Sequence, residues 1–145
     1  MADRILPLVR LVFPCDAAVI DLSDLTWELK NPWLDLTIPP GVRFPFRHEK
    51  LCVYAQLTGG LGSFNVRVEM RQLMDNGRRT IGVGASTRVE FPNNRRLLAS
   101  EVVFEIKMVP FREAGLYEFY LASDEGEQLE GQTAVIRVLA TEDVL

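Results

Sequence analysis

The sequence has few of the side chains on which most metal and nucleophilic sites depend. Its 145 residues include two cysteines, Cys15 and Cys52, and one histidine, His48. Two cysteines are too few for a disulfide scaffold, and without a C-x-x-C pair they do not form the usual zinc-binding pattern. On a strand, His48 and Cys52 would be separated by roughly 13 Å, which is outside hydrogen-bond reach. We therefore expect no metal, no cofactor and no catalytic residue, and a protein that is not an enzyme.

The chain also lacks an excess of basic residues and a long apolar segment. Its 16 Lys and Arg against 20 Asp and Glu give a formal net charge of -4, whereas nucleic-acid-binding domains are usually basic. The basic pairs Arg78-Arg79 and Arg95-Arg96 are typical of solvated loop tips. No apolar run approaches the roughly 18 residues of a membrane span, and the N-terminus does not have a signal-peptide pattern. These features predict a cytoplasmic protein with neither a nucleic-acid nor a membrane partner.

The dominant pattern is an alternation of apolar and polar residues with a period of two. In SFNVRVEMRQL, apolar side chains from Phe64 to Met70 alternate with polar ones, as in a strand with one buried face. The same alternation recurs five more times, at Leu51 to Leu57, Thr87 to Phe91, Val102 to Met108, Tyr117 to Leu121, and Ala134 to Val138. The sequence thus predicts six half-buried strands in succession.

The N-terminal third is less regular but adds one to three strands. Val9, Leu11, Phe13 and Cys15 alternate first, with Cys15 expected to be a small core residue and Cys52 expected on an outer face or under a loop. Two further alternating segments follow. The first contains Trp27, which we expect in the core, and the second contains Leu36. Pro39, Pro40 and Pro45 then fix an extended connection.

Turn-forming residues such as Gly59-Gly60, Asp75-Asn76-Gly77 and Pro92-Asn93-Asn94 separate the strands, and no helical period lies between them. The glycines of TGGLGSF and IGVGAST are interpreted as turn residues, because neither stretch has the G-K-[ST] ending or the following helix of a phosphate-binding loop. This arrangement predicts an all-β fold. We expect one antiparallel β-sandwich domain over residues 1–145, with seven to nine strands and no long helix.

The stretch REAGLYEFYLASDEGEQLEG combines an aromatic strand with an acidic turn. Tyr117 follows a corner between Pro110 and Gly115, where a buried phenol would donate to backbone a few residues upstream, as in the tyrosine corner of immunoglobulin-like sandwiches. The acidic residues of SDEG do not have the ligand spacing of a calcium loop. We interpret SDEG as a hairpin turn in which Gly126 has a positive φ.

Five segments together resemble an uncharacterised bacterial family of small β-sandwich proteins. These are LVFPCDAAVID, the proline-containing connection, KLCVYAQLTGGLGSFNVRVEMRQL, TRVEFP, and GLYEFYLASDEGEQLEGQTAVIRV, which span nearly the whole chain. The resemblance implies an immunoglobulin-like sandwich with no assigned activity and no known site residue. The chain departs from antibody domains because it lacks their paired inter-sheet cysteines and a clear tryptophan on the third strand.

Strands 63–73 and 116–122 would be neighbours in such a sandwich. Their outer side chains are Arg67, Glu69, Arg71, Glu118 and Tyr120. Because exposed Tyr and Arg are enriched at interface hot spots, this face is the first candidate surface for an unknown protein partner or for a homo-oligomer. The equally open alternative is a solvated face with weak ion pairs.

Trp33 is the second candidate, as a ligand contact. It follows Asn31-Pro32 at a strand end, where an exposed indole could stack on a sugar or another small ligand. The alternative role for Trp33 is a lid on the edge of the sandwich. An enzyme built around His48 is the third and weakest hypothesis.

Overall fold

The computed structural model describes residues 4–92 and 99–144, which form two packed β-sheets. The strands are β1 (Leu8–Asp21), β2 (Thr26–Pro32), β3 (Asp35–Thr37), β4 (Phe46–Thr58), β5 (Gly62–Met74), β6 (Gly77–Phe91), β7 (Ser100–Phe111), β8 (Gly115–Ser123) and β9 (Ala134–Leu139). A short 3-10 helix, Thr141–Val144, follows β9. The predicted all-β sandwich of seven to nine strands is thereby confirmed over the described residues. The predicted pair Arg95-Arg96 and the turn at Asn93-Asn94 lie outside them.

The first sheet has the strand order β2-β1-β4-β7 and the second has the order β3-β9-β8-β5-β6. The predicted neighbours β5 and β8 are indeed paired. Among the described strands, every pairing is antiparallel except that of β3 with β9, so the predicted antiparallel sandwich contains one parallel pair at the edge of the second sheet. In that pair Arg137 donates to both carboxylate oxygens of Asp35, at 2.7 and 2.8 Å. Within the described ranges, no helix is long and apolar enough to cross a membrane.

The core lies between the sheets and follows the predicted alternation. Leu51, Val53, Ala55 and Leu57 of β4 are fully buried, as are the alternating residues of β5 and β8 that face them. Strand β6 differs from the prediction, because IGVGAST continues the strand from Gly77 and is not a turn. Strand β5 pairs with β6 on both sides of the glycines, up to Ile81 and again from Ala85, and the register shifts between these two points. The glycines therefore lie at an irregularity of the ladder, which is a common position for glycine within a strand.

Strand β1 is interrupted by a β-bulge between Val9 and Leu11. Because a bulge shifts the alternation by one residue, Val9 and Val12 are both buried in the core, whereas Phe13 is exposed on the other side. The predicted single apolar face through residues 9, 11, 13 and 15 is therefore wrong. Cys15 is buried, as predicted, but it faces away from the core between the sheets and is not part of the core cluster.

Tyr117 forms the predicted corner. Its hydroxyl donates to the Glu113 carbonyl oxygen at 2.7 Å, and its ring meets Phe111 edge-on with centroids 5.0 Å apart. Burial raises the pKa of the Tyr117 phenol, so the hydroxyl keeps its proton as a donor. This bond ties the start of β8 to the segment before it.

We expect Tyr117→Phe to lower the free energy of unfolding by about 1 kcal/mol, the usual net contribution of one hydrogen bond. The ring and its packing on Phe111 are retained, so the substitution removes the hydrogen bond to Glu113 alone. Urea denaturation monitored by circular dichroism measures the loss. An unchanged midpoint would show that the corner hydrogen bond does not stabilise the fold.

Candidate functional site

The predicted surface residues of β5 and β8 do come together on the outer face of the second sheet. We call Arg67, Glu69, Arg71, Glu118 and Tyr120 the β5–β8 cluster. Arg71 Nε donates to Glu118 Oε1 at 2.6 Å, and the Arg71 guanidinium lies 4.2 Å from the centroid of the Tyr120 ring. Tyr120 donates in turn to Glu69 Oε2 at 2.8 Å, and Glu69 also pairs with Arg67 at 2.6 Å. Each charge in the cluster therefore has a partner within it.

The protonation states of the cluster are fixed by these contacts. Burial opposes ionisation of Glu118, but hydrogen bonds from Thr133 and Arg71, together with the Arg71 charge, outweigh it and lower the pKa of the carboxyl. The Thr133 hydroxyl donates to Glu118 Oε2 at 2.6 Å. Burial, followed by the hydrogen bond to Glu69, raises the pKa of Tyr120. The cluster thus holds an ionised Glu118 and a neutral Tyr120.

The prediction that Glu118 and Tyr120 are exposed is wrong. Both are buried, and Tyr120 retains only 7% exposure although it is on the outer face. The segment that follows β8 lies beside them, since Gln128 accepts from Arg71 Nη1 at 3.0 Å and pairs with Ala122 in an isolated bridge. Only Arg67 remains substantially open to solvent. A role of this cluster in binding stays a prediction.

Trp33 is also buried, with 8% exposure, so it does not offer the predicted exposed platform for a ligand. Its Nε1 donates to Asp16 Oδ1 at 2.7 Å, and its ring meets the His48 ring edge-on at 4.8 Å. The indole belongs to the hydrophobic core and lies at the edge of the sandwich, between edge strand β2 of the first sheet and edge strand β3 of the second. The lid interpretation of Trp33 is therefore the one that agrees with the structure.

The two cysteines are direct neighbours across the sheet. Cys15 of β1 and Cys52 of β4 are Cα partners, and both are free and buried. Cys52 alternates with the core residues Leu51 and Val53, so its side chain points to the outer face of the first sheet. Cα partners in an antiparallel pair point to the same side, so Cys15 lies on that outer face too. Burial first, and then the charges of Cys52 and Asp16, raise the pKa of the Cys15 thiol to about 11. Cys15 is consequently a protonated thiol at neutral pH and a weak nucleophile.

The acidic turn after β8 has the predicted hairpin geometry. Ser123 and Gly126 make the turn hydrogen bonds, and Gly126 has a φ of 85°. Arg4 lies 3.8 Å from both Asp124 and Glu125, so these carboxylates face a cation. No group of three or more His, Cys, Asp or Glu that could hold a metal ion occurs in the described part of the chain.

A feature that the sequence patterns did not reveal is a hairpin arm, residues 17–30. Pairing of β1 with β4 ends at Cys15 and Cys52, whereas pairing of β1 with β2 continues to Asp21 and Thr26. The arm is therefore a two-stranded extension of the first sheet, and β2 is the edge strand of that sheet. The sequence does contain a signal for this hairpin. Ala18 and Ile20 are apolar at alternate positions before the turn, and Leu25, Trp27 and Leu29 are apolar at alternate positions after it.

One face of the arm is apolar and partly open to solvent. Ile20 is the Cα partner of Trp27, and Ala18 is the partner of Leu29, so these side chains share the face that continues from the core residue Val12. Trp27 is only partly buried, which corrects the prediction of a core residue. At the tip, Leu22 and Leu25 are 79% and 67% exposed.

The fold and these surfaces define a small all-β sandwich that carries a projecting hairpin. Residues 12–136 match the model of DUF6941, a family of unknown function, and the chain belongs to that family. No curated protein is significantly similar to the chain.

Proposed function

We propose that this protein is a non-enzymatic interaction module that binds a second copy of itself through the hairpin arm. The observation that carries the proposal is the apolar face of Ile20, Trp27 and their neighbours beyond the end of the core. An isolated two-stranded hairpin is marginal in water, and an exposed apolar patch on a soluble domain usually marks a binding surface. Pairing of two arms through their β2 edges would give a four-stranded sheet, in which the apolar side chains of the two copies lie side by side and shield one another from water.

The edge of β2 favours a second copy as the partner. An unpaired edge strand can add another strand, and a two-fold axis makes the same strand its own complement. An antiparallel β2 pair centred on Leu29 places Glu28 of one copy opposite Lys30 of the other, twice by symmetry. A pair centred on Glu28 would instead place two carboxylates opposite each other. The charge pattern of this short strand is therefore self-complementary in one register.

The absence of an enzymatic role is part of the proposal and is supported by the state of the reactive groups. The Cys15 pKa is raised, and His48 packs edge-on against Trp33 and lies near Phe46. The two free cysteines also support a reducing compartment such as the cytoplasm as the location.

Charge reversal at the β2 edge tests the proposal. We expect Lys30→Glu alone and Glu28→Lys alone to weaken self-association by about tenfold or more, because each creates two like-charge pairs across the axis. The double variant restores both opposite-charge pairs and should regain the wild-type dimer. A mixture of the two single variants should form a heterodimer for the same reason. Sedimentation velocity over a concentration series measures each association.

Arg88→Glu is the matched control, since Arg88 is an exposed residue of another strand and forms an ion pair with nearby Glu90. It should leave the association unchanged. A wild-type protein that is monomeric at every concentration would contradict the proposal. So would a dimer that the single reversals at residues 28 and 30 do not weaken.

A further inference from the structure

Three arginines line a cleft where the edge strands β6 and β7 of the two sheets approach each other. The cleft has a volume of about 400 Å³ and is lined by Arg47, Arg79 and Arg112, with Thr80, Pro45 and Pro110 beside them. We call it the arginine cleft. Its volume lies within the range of small-molecule sites. It is separate from both the arm and the β5–β8 cluster.

The fold brings these arginines together from distant parts of the sequence. Arg47 is on β4 opposite Pro110 of β7, and Arg112 directly follows the end of β7. Arg79 is on β6 opposite Gln72 of β5. The sequence had suggested that Arg79 belongs to a solvated loop tip, but it is partly buried. The cleft therefore joins the two sheets at their edges.

The positive charge of the cleft is not balanced by the described residues of its lining, none of which is a carboxylate. Arg47 and Arg112 make no ion pair with any residue in the ranges 4–92 and 99–144. Arg79 Nη2 donates to Gln72 Oε1 and lies 3.7 Å from Glu113 Oε1, which is the one partial counter-charge. Arg79 Nε is buried without a hydrogen-bond partner among the described residues. An acidic protein thus has three guanidinium groups in one concave site, and two of them have no ion pair among the described residues.

We propose that the arginine cleft binds a small oxyanion, the phosphate or carboxylate group of a small molecule. A guanidinium presents a planar fork of donors that matches either oxyanion, and three such groups at one site favour negative charge strongly. The Thr80 hydroxyl at the rim supplies one more donor. Binding would also relieve the mutual repulsion of the three cations. This role goes beyond self-association and uses different residues.

Thermal unfolding with added anions tests the site. We expect inorganic phosphate or succinate to raise the unfolding midpoint relative to sodium chloride at equal ionic strength, because a ligand that binds the folded state stabilises it. The two anions form separate arms of the experiment, and the one with the larger shift identifies the ligand chemistry. Isothermal titration calorimetry then gives the affinity of that anion.

Arg47→Gln and Arg112→Gln are the informative variants, since both residues are exposed and neither substitution removes an ion pair that supports the fold. Each should weaken the anion affinity by about tenfold, the effect of one charge-assisted contact. Arg88→Gln is the control, because Arg88 is on β6 but is not among the residues that line the cleft. This variant should bind the anion as the wild type does. The inference is overturned if neither anion raises the unfolding midpoint more than chloride does. It is also overturned if Arg47→Gln and Arg112→Gln both bind the anion as tightly as the control. Sedimentation of the same variants should show unchanged self-association, so a failure here is distinct from a failure of the arm.

Discussion

Replacing Gly131 with alanine should lower the free energy of unfolding by about 3 kcal/mol, through backbone strain and steric overlap together. Gly131 has a φ of 115°, and a Cβ there would lie 2.2 Å from the carbonyl oxygen of Val9. Val9 cannot move away easily, because its N–H donates to Glu130 and its carbonyl accepts from Gln132. The substitution would therefore separate the start of β1 from the segment that precedes β9.

Gly126→Ala is the matched control for this prediction. Gly126 also has a positive φ, 85°, but a Cβ there would meet no atom within 4 Å. Its substitution should cost about 1 kcal/mol, the penalty for the left-handed conformation alone. Urea denaturation with a common slope measures both variants. Equal losses of unfolding free energy at the two positions would show that the close approach of Val9 to Gly131 does not contribute to the loss.

The strands were predictable because their pattern is local. Alternation at Val66 and Val68, or at Tyr117 and Phe119, records directly which side chains face the core, and the paired strand need not be known. The Tyr117 corner was predictable for a similar reason, since donor and acceptor are four residues apart. Strand β6 was missed over its glycines because the strand is held by pairing with β5 on either side of them, and this pairing is not visible in the sequence of β6 alone.

The surfaces were less predictable because they depend on contacts between distant segments. Alternation correctly placed Tyr120 on the outer face, but its burial under Arg71 and beside residues 127–133 is a tertiary effect. The burial of Trp33 likewise depends on Asp16 and His48, which lie on other strands. The arginine cleft has no local pattern, since its three arginines lie on β4, on β6 and after β7.

The structure suggests a division between the faces and the edges of the sandwich. The polar groups on the outer face of β5 and β8 are matched to one another, so little of their hydrogen-bonding capacity is left for a partner. Unmatched groups are instead found at the sheet edges, in the arm at β2 and in the arginine cleft at β6 and β7. Edges carry both proposed sites because their backbone and side chains are not fully covered by neighbouring strands.

The internal matching of the face leads to a prediction for Glu118. We expect Glu118→Gln to lower the free energy of unfolding by about 2 kcal/mol, because it leaves the Arg71 charge in a site from which water is largely excluded. The two side chains are 13% and 11% exposed. Glutamine keeps the shape, and it can accept from Arg71 and donate to the Thr133 hydroxyl, but it has no charge. Glu105→Gln is the control, since Glu105 pairs with Lys50 at a half-exposed position and its change should be much smaller.

The pH dependence of this difference shows whether charge is the cause. The folded state lowers the pKa of Glu118 below its ordinary value of 4.5, so its contribution to stability is fully present above that pH. As the pH falls through the lower pKa of the folded state, Glu118 becomes protonated and the contribution is lost. The difference in unfolding free energy between wild type and Glu118→Gln should therefore be constant near neutral pH and should shrink in acid below about pH 4.5. A difference that stays the same through the acid range would mean that Glu118 stabilises the fold by packing and hydrogen bonding, and that its ion pair with Arg71 contributes nothing.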